Sequence, residues 1–235
     1  MSLRAGGVSK APWDSLNLGL AVGDDTGAVA QNRARFAAAL GARPIWLRQV
    51  HGTQVLQLQG HEDSAQMPAA DAAWTCARGV ACTVQVADCL PVLFCARDGS
   101  AVAAAHAGWR GLSAGVLEAT LAALQQGAGV APHDVLAWLG PCIGARQFEV
   151  GADVLLAFGQ DPAAPDIRRF VPRQRSDSSP GWLAHLPGLA RDRLQAAGVA
   201  NISAADECTA QDASRFFSFR RSGCTGRMAA AIWRR

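Results

Sequence analysis

Three segments of the chain combine a reactive side chain with small neighbours. His51 lies in QVHG, Cys89 in ADCLP and His106 in AHAGWRG. Imidazole nitrogen and thiolate sulfur both bind Zn²⁺, and catalytic zinc sites use three protein ligands plus one open position. A glycine close to each histidine lets a substrate or a backbone segment approach. A His–Cys–His set therefore suits a catalytic metal, although spacing alone does not make the three segments converge.

Cys89 and its neighbour Asp88 each admit two roles. A thiolate beside a histidine is a nucleophile as well as a ligand, so Cys89 with His106 suits acyl transfer. A metal on the thiolate would quench that nucleophile, so the two mechanisms compete for the same atoms. Asp88 is a candidate catalytic residue that either orients His51 or His106 or only caps a break between strands.

Short strands must position these residues. Residues 80–95 are β-prone but contain a proline, which cannot donate a ladder hydrogen bond, so we predict two strands with a break at Asp88–Cys89. Residues 101–106 are predicted to form a strand that ends at His106. Alternating polarity predicts strands at 45–50 and 53–59, on either side of His51.

Helices and further strands complete the predicted pattern. Apolar spacing predicts a helix over 29–40, capped by Asp25 or Thr26 and ended by Gly41. A second helix is predicted to present Leu117, Leu121 and Leu124 and to end at Gly127. We also predict a helix near 186–197, strands at 134–139, 215–220 and 227–233, and a mobile loop, a candidate lid, over 160–181.

Composition excludes several classes of protein. The chain has 235 residues, of which 50% are hydrophobic and 17% charged, as in a folded protein with a sizeable core. A net charge of +3 is too weak to predict nucleic-acid binding. Lys10 is the sole lysine and no GxxxxGK[ST] motif surrounds it, which excludes a P-loop nucleotidase. Lys10 is also a poor candidate for a Schiff-base lysine.

The histidine and cysteine counts further limit the possible classes of protein. Five histidines without a His-x-His pair are too few for the copper set of a true multicopper oxidase. Seven cysteines without a CxxC motif, in a chain with no visible export signal, indicate free thiols or metal ligands. No apolar stretch is long enough to span a membrane. We therefore expect a cytoplasmic protein that binds neither membranes nor nucleic acid.

Ordered motifs across nearly the whole chain carry a family resemblance. They are RAGGVS, SLNLG, VGDD, QVHG, ADC, HAGWRG, GPCIG, CT and FSFRR. With these motifs the sequence resembles the YfiH-type family, once called polyphenol oxidases with a laccase domain and now viewed as purine nucleoside phosphorylases. Phe219 departs from the tyrosine expected in many relatives, but an aromatic ring is kept.

The resemblance implies a fold, a metal and an activity. The implied fold is α+β, a single domain over 1–235 built as a four-layer α/β/β/α sandwich with mixed sheets, as in cysteine-dependent toxin deamidases. His51, Cys89 and His106 are implied to bind the catalytic metal, zinc, with copper as the alternative. The implied reaction is phosphorolysis of adenosine, inosine, guanosine and S-methyl-5′-thioadenosine, with adenosine deamination as a side activity.

Phosphorolysis requires groups that hold phosphate and the nucleoside. Arginine suits phosphate because its planar guanidinium presents a fork of donors. Asn17 and Gln49 are candidates for hydrogen bonds to the purine or ribose. The arginines in or beside the motifs, which are the phosphate candidates, are Arg4, Arg48, Arg110 and Arg220.

Other functions remain open from sequence. A cysteine-dependent amide hydrolase is the first rival, and it would not need phosphate. The family resemblance implies cell-wall nucleotide precursors as the substrates that it would edit. A non-enzymatic metal-binding protein is the second. Weak copper-dependent polyphenol oxidase activity is the third, because copper binds N/S sites tightly in vitro. Cys142 and Cys208 are predicted to be structural thiols, and the protein is expected to be a monomer or homodimer.

Overall fold

The computed structural model describes residues 1–63, 68–175 and 177–235. The helices are α1 Thr26–Leu40, α2 Trp109–Ala114, α3 Val116–Ala128, α4 Ala152–Ala157, α5 Leu186–Ala196 and α6 Phe219–Ser222. The strands are β1 Arg43–Ile45, β2 Val55–Gln57, β3 Ala72–Thr75, β4 Val80–Val86, β5 Leu90–Ala96, β6 Val102–Ala107, β7 Val135–Leu139, β8 Glu149–Val150, β9 Phe170–Gln174, β10 Pro180–Ala184, β11 Asn201–Ala204 and β12 Met228–Trp233. Within the described residues, no helix combines the length and the apolar character that crossing a membrane requires.

The strands form three sheets. A three-stranded sheet has the order β1–β4–β12, and a six-stranded sheet has the order β11–β7–β5–β6–β3–β2. The third sheet, β8–β10–β9, is a small antiparallel unit. Both larger sheets are mixed: β1 with β4, β2 with β3, and β7 with β11 are parallel, and the other pairings are antiparallel. The predicted α+β class with mixed sheets is confirmed.

Small residues in β6 allow the two larger sheets and the helices to stack closely. Val102 and Ala104 pack in the apolar cluster between the two sheets. Ala103 and Ala105 point the other way, into the cluster beneath α2 to α5, because side chains alternate along a strand. On the far side, Phe36 of α1 packs against the outer face of the three-stranded sheet. The layers are therefore α1, sheet, sheet and helices, which is the expected four-layer order.

Helix α1 begins and ends where the sequence predicts. The Asp25 side chain accepts a hydrogen bond from the backbone N–H of Ala28 at 2.7 Å, which satisfies a donor of the first turn. Gly41 ends the helix with φ of +65°, in the left-handed conformation that glycine adopts without strain. The predicted strand break is also present, since β4 ends at Val86 and β5 begins at Leu90.

The prediction that Gly127 ends the helix after the AHAGWRG segment is wrong. Gly127 lies inside α3, and a Cβ there would lie 2.1 Å from the indole of Trp74. The glycine is therefore needed for helix–sheet packing, and Gly129, with φ of +68°, ends the helix instead. The single helix predicted after the AHAGWRG segment is in fact two helices, α2 and α3, which are separated at Gly115.

Three further predictions need correction. Residues 160–181 are not a long loop, because they include β9 and the start of β10, which pair as an antiparallel hairpin. The strand expected at 45–50 ends at Ile45, and the strand expected at 215–220 is replaced by a turn and α6. Residue 176 of the predicted loop and residues 64–67 lie outside the described residues.

Candidate metal centre

Sheet register brings the three candidate ligands together. In the β3–β6 pair Ala72 lies opposite Ala105, and in the β5–β6 pair Pro91 lies opposite His106. Cys89, just before β5, therefore reaches the end of β6 where His106 stands. His51 approaches from the loop between β1 and β2. The ligand atoms of His51, Cys89 and His106 all lie within 4.8 Å of one another.

Asp71, which immediately precedes β3, joins the two histidines. Its Oδ1 accepts hydrogen bonds from Nδ1 of His106 at 2.8 Å and from the backbone N–H of His51 at 2.9 Å. Its Oδ2 accepts from the backbone N–H groups of Val50 at 3.0 Å and Gly52 at 2.8 Å. The carboxylate is fully buried, and its two oxygens together accept hydrogen bonds from four N–H groups. The His51 loop is thereby fixed against β6.

The bond to Asp71 also selects the tautomer of His106. A carboxylate only accepts, so Nδ1 of His106 carries the proton and Nε2 is left to face Cys89 and His51. Burial alone would raise the pKa of Asp71, but His106 and the N–H groups of the His51 loop outweigh it and lower that pKa.

Cys89 and His106 form an electrostatic pair. Burial opposes the thiolate, yet His106 and His51 together lower the pKa of Cys89 to about 6. Burial likewise opposes the imidazolium, while Cys89 and Asp71 raise the pKa of His106 to about 9. The metal-free centre therefore favours a thiolate at neutral pH, which is the form that binds metals and attacks electrophiles.

The backbone around the centre is shaped for close approach. His51 and Asp88 have positive φ, +59° and +87°, an uncommon conformation for non-glycine residues. At Gly108 a Cβ would lie 2.9 Å from Sγ of Cys89 and 3.1 Å from the ring of His51. Gly108 thus leaves the space that the ligands occupy, as the glycines of the motif suggest.

Asp88 serves the centre indirectly. Its Oδ1 accepts from the hydroxyl of Thr209 at 2.6 Å, and its Oδ2 accepts from the hydroxyl of Ser218 at 2.9 Å and the backbone N–H of Arg220 at 2.6 Å. These bonds tie the turn that carries Cys89 to the C-terminal segment. The predicted orientation of a histidine by a carboxylate belongs to Asp71 in this structure.

The ligands open into a surface cavity of about 420 Å³. Leu20, Val86 and Phe219 form part of its apolar wall, and the ring of Phe219 is 57% exposed. Three arginines, Arg33, Arg48 and Arg227, line the same cavity, and no aspartate or glutamate is among its described lining residues. An anion entering the cavity therefore meets positive charge.

Two of these arginines are largely buried. The guanidinium of Arg33 lies 4.0 Å from the ring centroid of Trp46, its Nε donates to the carbonyl of Leu18, and burial lowers its pKa to about 10. Arg227 donates to the carbonyls of Thr225 and Gly226, and burial lowers its pKa as well. Both remain cations at neutral pH, so the cavity keeps two partly desolvated positive charges.

Of the predicted substrate-binding residues, Arg48 and Gln49 line the cavity. The Gln49 amide bonds both backbone groups of Gln85, at 2.8 and 2.7 Å, so its polar atoms already hold two chain segments together. Asn17 is fully buried behind the wall, where its Oδ1 accepts from the N–H groups of Gly19 and Arg227, both at 2.9 Å. Asn17 therefore positions Arg227.

The other three predicted arginines lie outside the lining of the cavity. Arg4 pairs with Asp14 at 3.0 Å and stacks on Phe217. Arg110 is exposed, with its guanidinium 4.3 Å from the ring centroid of Trp109. Arg220 donates to the carbonyls of Gln147 and Glu149 at 3.2 and 3.0 Å. Their roles in binding substrate stay predictions.

Sequence reasoning missed Asp71, Arg33 and Arg227. Asp71 stands between a polar connector and an apolar strand, and an acidic residue at a strand start is the only local signal. Arg33 shares the helical spacing of Val29 and Phe36 and was assigned to the helix alone. Arg227 follows a glycine and precedes the first residue of β12, where no motif marks it.

The donor set fits a transition metal. Two imidazoles and a thiolate, one imidazole backed by a carboxylate, are ligands that zinc and copper both accept. The three donors line a cavity, and among the described residues no fourth protein ligand joins them, as in catalytic rather than structural sites. The fold and this site together define an α+β protein whose His–Cys–His group could hold a metal ion beside an anion-attracting pocket.

Comparisons with known proteins place the chain in a family. The family model described as multi-copper polyphenol oxidoreductase laccase matches residues 1–235. The chain is 50% identical to a purine nucleoside phosphorylase of Pseudomonas aeruginosa and 48% identical to purine nucleoside phosphorylase YfiH of Escherichia coli, in each case over 99% of this chain and 91% of the relative. The protein belongs to this YfiH-type family.

Solved structures agree with the fold. A Neisseria meningitidis protein, 44% identical, superposes with a TM-score of 0.86, covering 99% of this chain and 91% of that chain. A Bacillus licheniformis protein titled hypothetical protein YfiH, 28% identical, superposes with a TM-score of 0.91 at the same coverage. The predicted family and fold class are therefore confirmed.

Proposed function

We propose that this protein is a cytoplasmic, zinc-dependent purine nucleoside phosphorylase. Adenosine, inosine, guanosine and S-methyl-5′-thioadenosine are the proposed nucleosides, and adenosine deamination is a side activity. The observation that carries the proposal is a His–Cys–His centre opening into a cavity with three arginines and no described carboxylate in its lining. Relatives named purine nucleoside phosphorylase, up to 50% identical, support it.

The arginines supply the phosphate subsite in this proposal. Arg33 and Arg227 contribute two partly desolvated cations to the lining of the cavity, and the exposed Arg48 contributes a third. A dianion with three acceptor oxygens suits such a set, because charge-assisted hydrogen bonds are the strong ones. Asn17 holds the backbone of Arg227, the carbonyls of Thr225 and Gly226 accept from its guanidinium, and stacking on Trp46 holds the guanidinium of Arg33.

The apolar wall offers the purine a surface. Phe219 presents an exposed ring, and Leu20 and Val86 continue the wall beside it. A phosphate oxygen forms a bond to C1′ of the ribose while the C1′–N9 bond breaks, and the purine leaves with the electron pair. His51, Cys89 and His106 would hold Zn²⁺, which when bound supplies positive charge for the developing anion or lowers the pKa of water for deamination. Asp71 positions His51 and His106, and Asp88 positions the turn that carries Cys89.

The test is adenosine consumption by protein of known metal content, with and without phosphate. Adenine and ribose 1-phosphate that appear only with phosphate, in proportion to zinc, would support the proposal. Inosine formed without phosphate would report the deaminase activity. His106→Ala should lose metal and turnover, whereas His133→Ala, whose side chain is 74% exposed beside Asp134, should keep both. Turnover independent of phosphate would contradict the phosphorylase.

One observation favours a second candidate, a cysteine-dependent amide hydrolase. Cys89, His106 and Asp71 form a thiolate–imidazole–carboxylate series in which the thiol pKa is about 6, the arrangement of an activated nucleophile. In that case turnover of an amide in a cell-wall nucleotide precursor would rise when zinc is removed and would vanish in Cys89→Ser. Phosphorolysis instead requires the loaded metal, so zinc removal separates the two candidates. Weak copper-dependent oxidase activity would appear only after copper loading.

A further inference from the structure

Two cysteines outside the metal centre lie side by side where the GPCIG and Cys–Thr motifs meet. Cys142 and Cys208 are partners in an isolated parallel β-bridge, closed by a hydrogen bond from the N–H of Thr209 to the carbonyl of Cys142 at 2.9 Å. Both are free thiols. The proposed nucleoside reaction uses neither of them.

Their sulfur atoms contact the same peptide group. The thiol of Cys142 donates to the carbonyl of Ile143 at 3.5 Å, and Sγ of Cys208 accepts from the N–H of Gly144 at 3.1 Å. That carbonyl and that N–H belong to one peptide unit. Paired strands are about 4.8 Å apart, within the Cα separation of about 4.4–6.8 Å that disulfides span. As β-bridge partners, the two cysteines therefore stand at a Cα separation that a disulfide can span.

A second cavity gives solutes access to this pair. Its volume is about 220 Å³, and both cysteines line it. Cys208 is half-buried and Cys142 is buried, and burial raises the pKa of the Cys142 thiol, with Cys208 adding to the effect. Cys208 is thus the sulfur that an incoming molecule meets first. The lining carries Arg146 and His185 but also Asp206 and Glu207, so the cavity suits a small neutral reagent.

We propose that Cys142 and Cys208 are a modification site that forms a reversible disulfide with a hydroperoxide, such as hydrogen peroxide, as the oxidant. The sulfur of Cys208 gives up its proton and attacks one peroxide oxygen, the O–O bond breaks, and Cys208 becomes a sulfenic acid. The hydroxide that leaves takes up the proton from the Cys208 thiol to form water. The sulfur of Cys142 then attacks the sulfur of Cys208. The S–O bond breaks, and the hydroxide that leaves takes the Cys142 proton to form a second water.

The disulfide is coupled to the metal centre through Asp88. The residue after Cys142, Ile143, donates its N–H to the carbonyl of Asp88 at 2.9 Å. The residue after Cys208, Thr209, donates its hydroxyl to the Asp88 carboxylate at 2.6 Å. Drawing the two cysteines together therefore shifts both groups that hold the turn before Cys89. We expect the oxidised protein to release Zn²⁺ several-fold faster than the reduced protein.

Mass spectrometry tests the bond directly. Reduced, zinc-loaded protein is treated with a small excess of hydrogen peroxide, the remaining thiols are alkylated, and peptides are mapped without reduction. The expected result is a Cys142–Cys208 cross-linked peptide that disappears after dithiothreitol. Cys142→Ala should leave Cys208 as a trapped sulfenic acid, and Cys208→Ser should leave Cys142 unoxidised. A Cys208 that is overoxidised, pairs elsewhere, or stays reduced while the exposed Cys76 and Cys224 react would overturn the proposal.

The coupling has its own measurement, independent of nucleoside turnover. Zinc release is followed with a chromogenic chelator before and after peroxide, in the native chain, in Cys142→Ala and in Cys208→Ser. Faster release that requires both cysteines and is reversed by dithiothreitol supports the coupling. If Cys142→Ala releases zinc equally fast after peroxide, direct oxidation of Cys89 explains the loss and the coupling is wrong.

Discussion

Two buried carboxylates organise the candidate metal centre in different ways. Asp71 bonds directly to one candidate ligand through its ring and to the other histidine through its backbone. Asp88 touches no ligand through its described hydrogen bonds and instead gathers Thr209, Ser218 and Arg220 from the far end of the sequence. One half of the centre is therefore fixed by direct bonds to ligands. The other is fixed by anchoring the turn that carries Cys89.

The chemistry of the partners differs as well. All four partners of Asp71 are N–H donors, three from the backbone and one from an imidazole. Two of the three partners of Asp88 are hydroxyls, which both donate and accept. A site that holds only donors demands a carboxylate, whereas a site with hydroxyls tolerates an amide. This difference makes the two positions unequal under the same substitution.

The largest effect is expected for Asp71→Asn. The new NH₂ group would face N–H donors, or would donate to Nδ1 of His106 and move the ring proton to Nε2, where it blocks a metal. Loss of such a supporting carboxylate costs about ten- to hundredfold in metal affinity. Zinc affinity measured by chelator competition, with circular dichroism to check folding, tests this.

Asp88→Asn is the matched control for that experiment. Its amide NH₂ can donate to the reoriented hydroxyl of Thr209 while its carbonyl oxygen accepts from Ser218 and Arg220. Zinc affinity should therefore fall by only a few fold. If zinc affinity falls equally in Asp71→Asn and Asp88→Asn, the two carboxylates do not differ as proposed. Both would then affect the centre only through the stability of the fold.

The sequence could predict one of these carboxylates and not the other. Asp88 adjoins a candidate ligand within a motif, so proximity along the chain singles it out. Asp71 lies 35 residues from His106, and only the β3–β6 register brings them together. The ligands themselves could be proposed because each stands in a short motif with small neighbours. Their convergence depends on strand pairings that local patterns do not encode.

Local sequence patterns likewise do not predict which charged residues line the cavity. Arg33 has the helical spacing of residues that pack on Trp46. Only the packing of α1 on the sheet shows that Arg33 also lines the cavity.

The role of Gly127 also depends on a contact that is distant in sequence. Glycine commonly ends a helix, which is why the sequence predicts a helix end there, but the closeness of Trp74 gives Gly127 a packing role instead.

Gly108→Ala should cause the next largest effect, about a tenfold loss of zinc affinity. The added Cβ would lie 2.9 Å from Sγ of Cys89 and 3.1 Å from the His51 ring, so the ligands must move apart. Gly52→Ala is the control, because its Cβ would find its nearest neighbours at 3.7 Å. If both variants bind zinc normally, the centre is looser on the Cys89 side than the contacts indicate.

Arg227 extends the comparison from metal to substrate, since it lies in the C-terminal segment that Asp88 helps to hold. Arg227→Ala should raise the KM for phosphate by about tenfold or more, the loss expected when a charge-assisted hydrogen bond is removed. The KM for the nucleoside and the zinc content should change little. Arg110→Ala, at an exposed arginine stacked on Trp109, serves as the control. A larger effect at Arg110 or at Arg220 would relocate the phosphate subsite to the motif arginines.

The smallest effect is expected for Thr209→Val, which removes one of the three bonds to Asp88 and keeps the shape of the side chain. Thr209 is fully buried, so losing its bond at 2.6 Å should lower the free energy of unfolding by about 1–2 kcal/mol. Ser218 and Arg220 still hold the carboxylate, so zinc affinity should stay within about twofold. Urea unfolding and chelator competition on the same preparation separate the two quantities. A large loss of zinc with little loss of stability would mean that Asp88 acts on Cys89 as directly as Asp71 acts on His106.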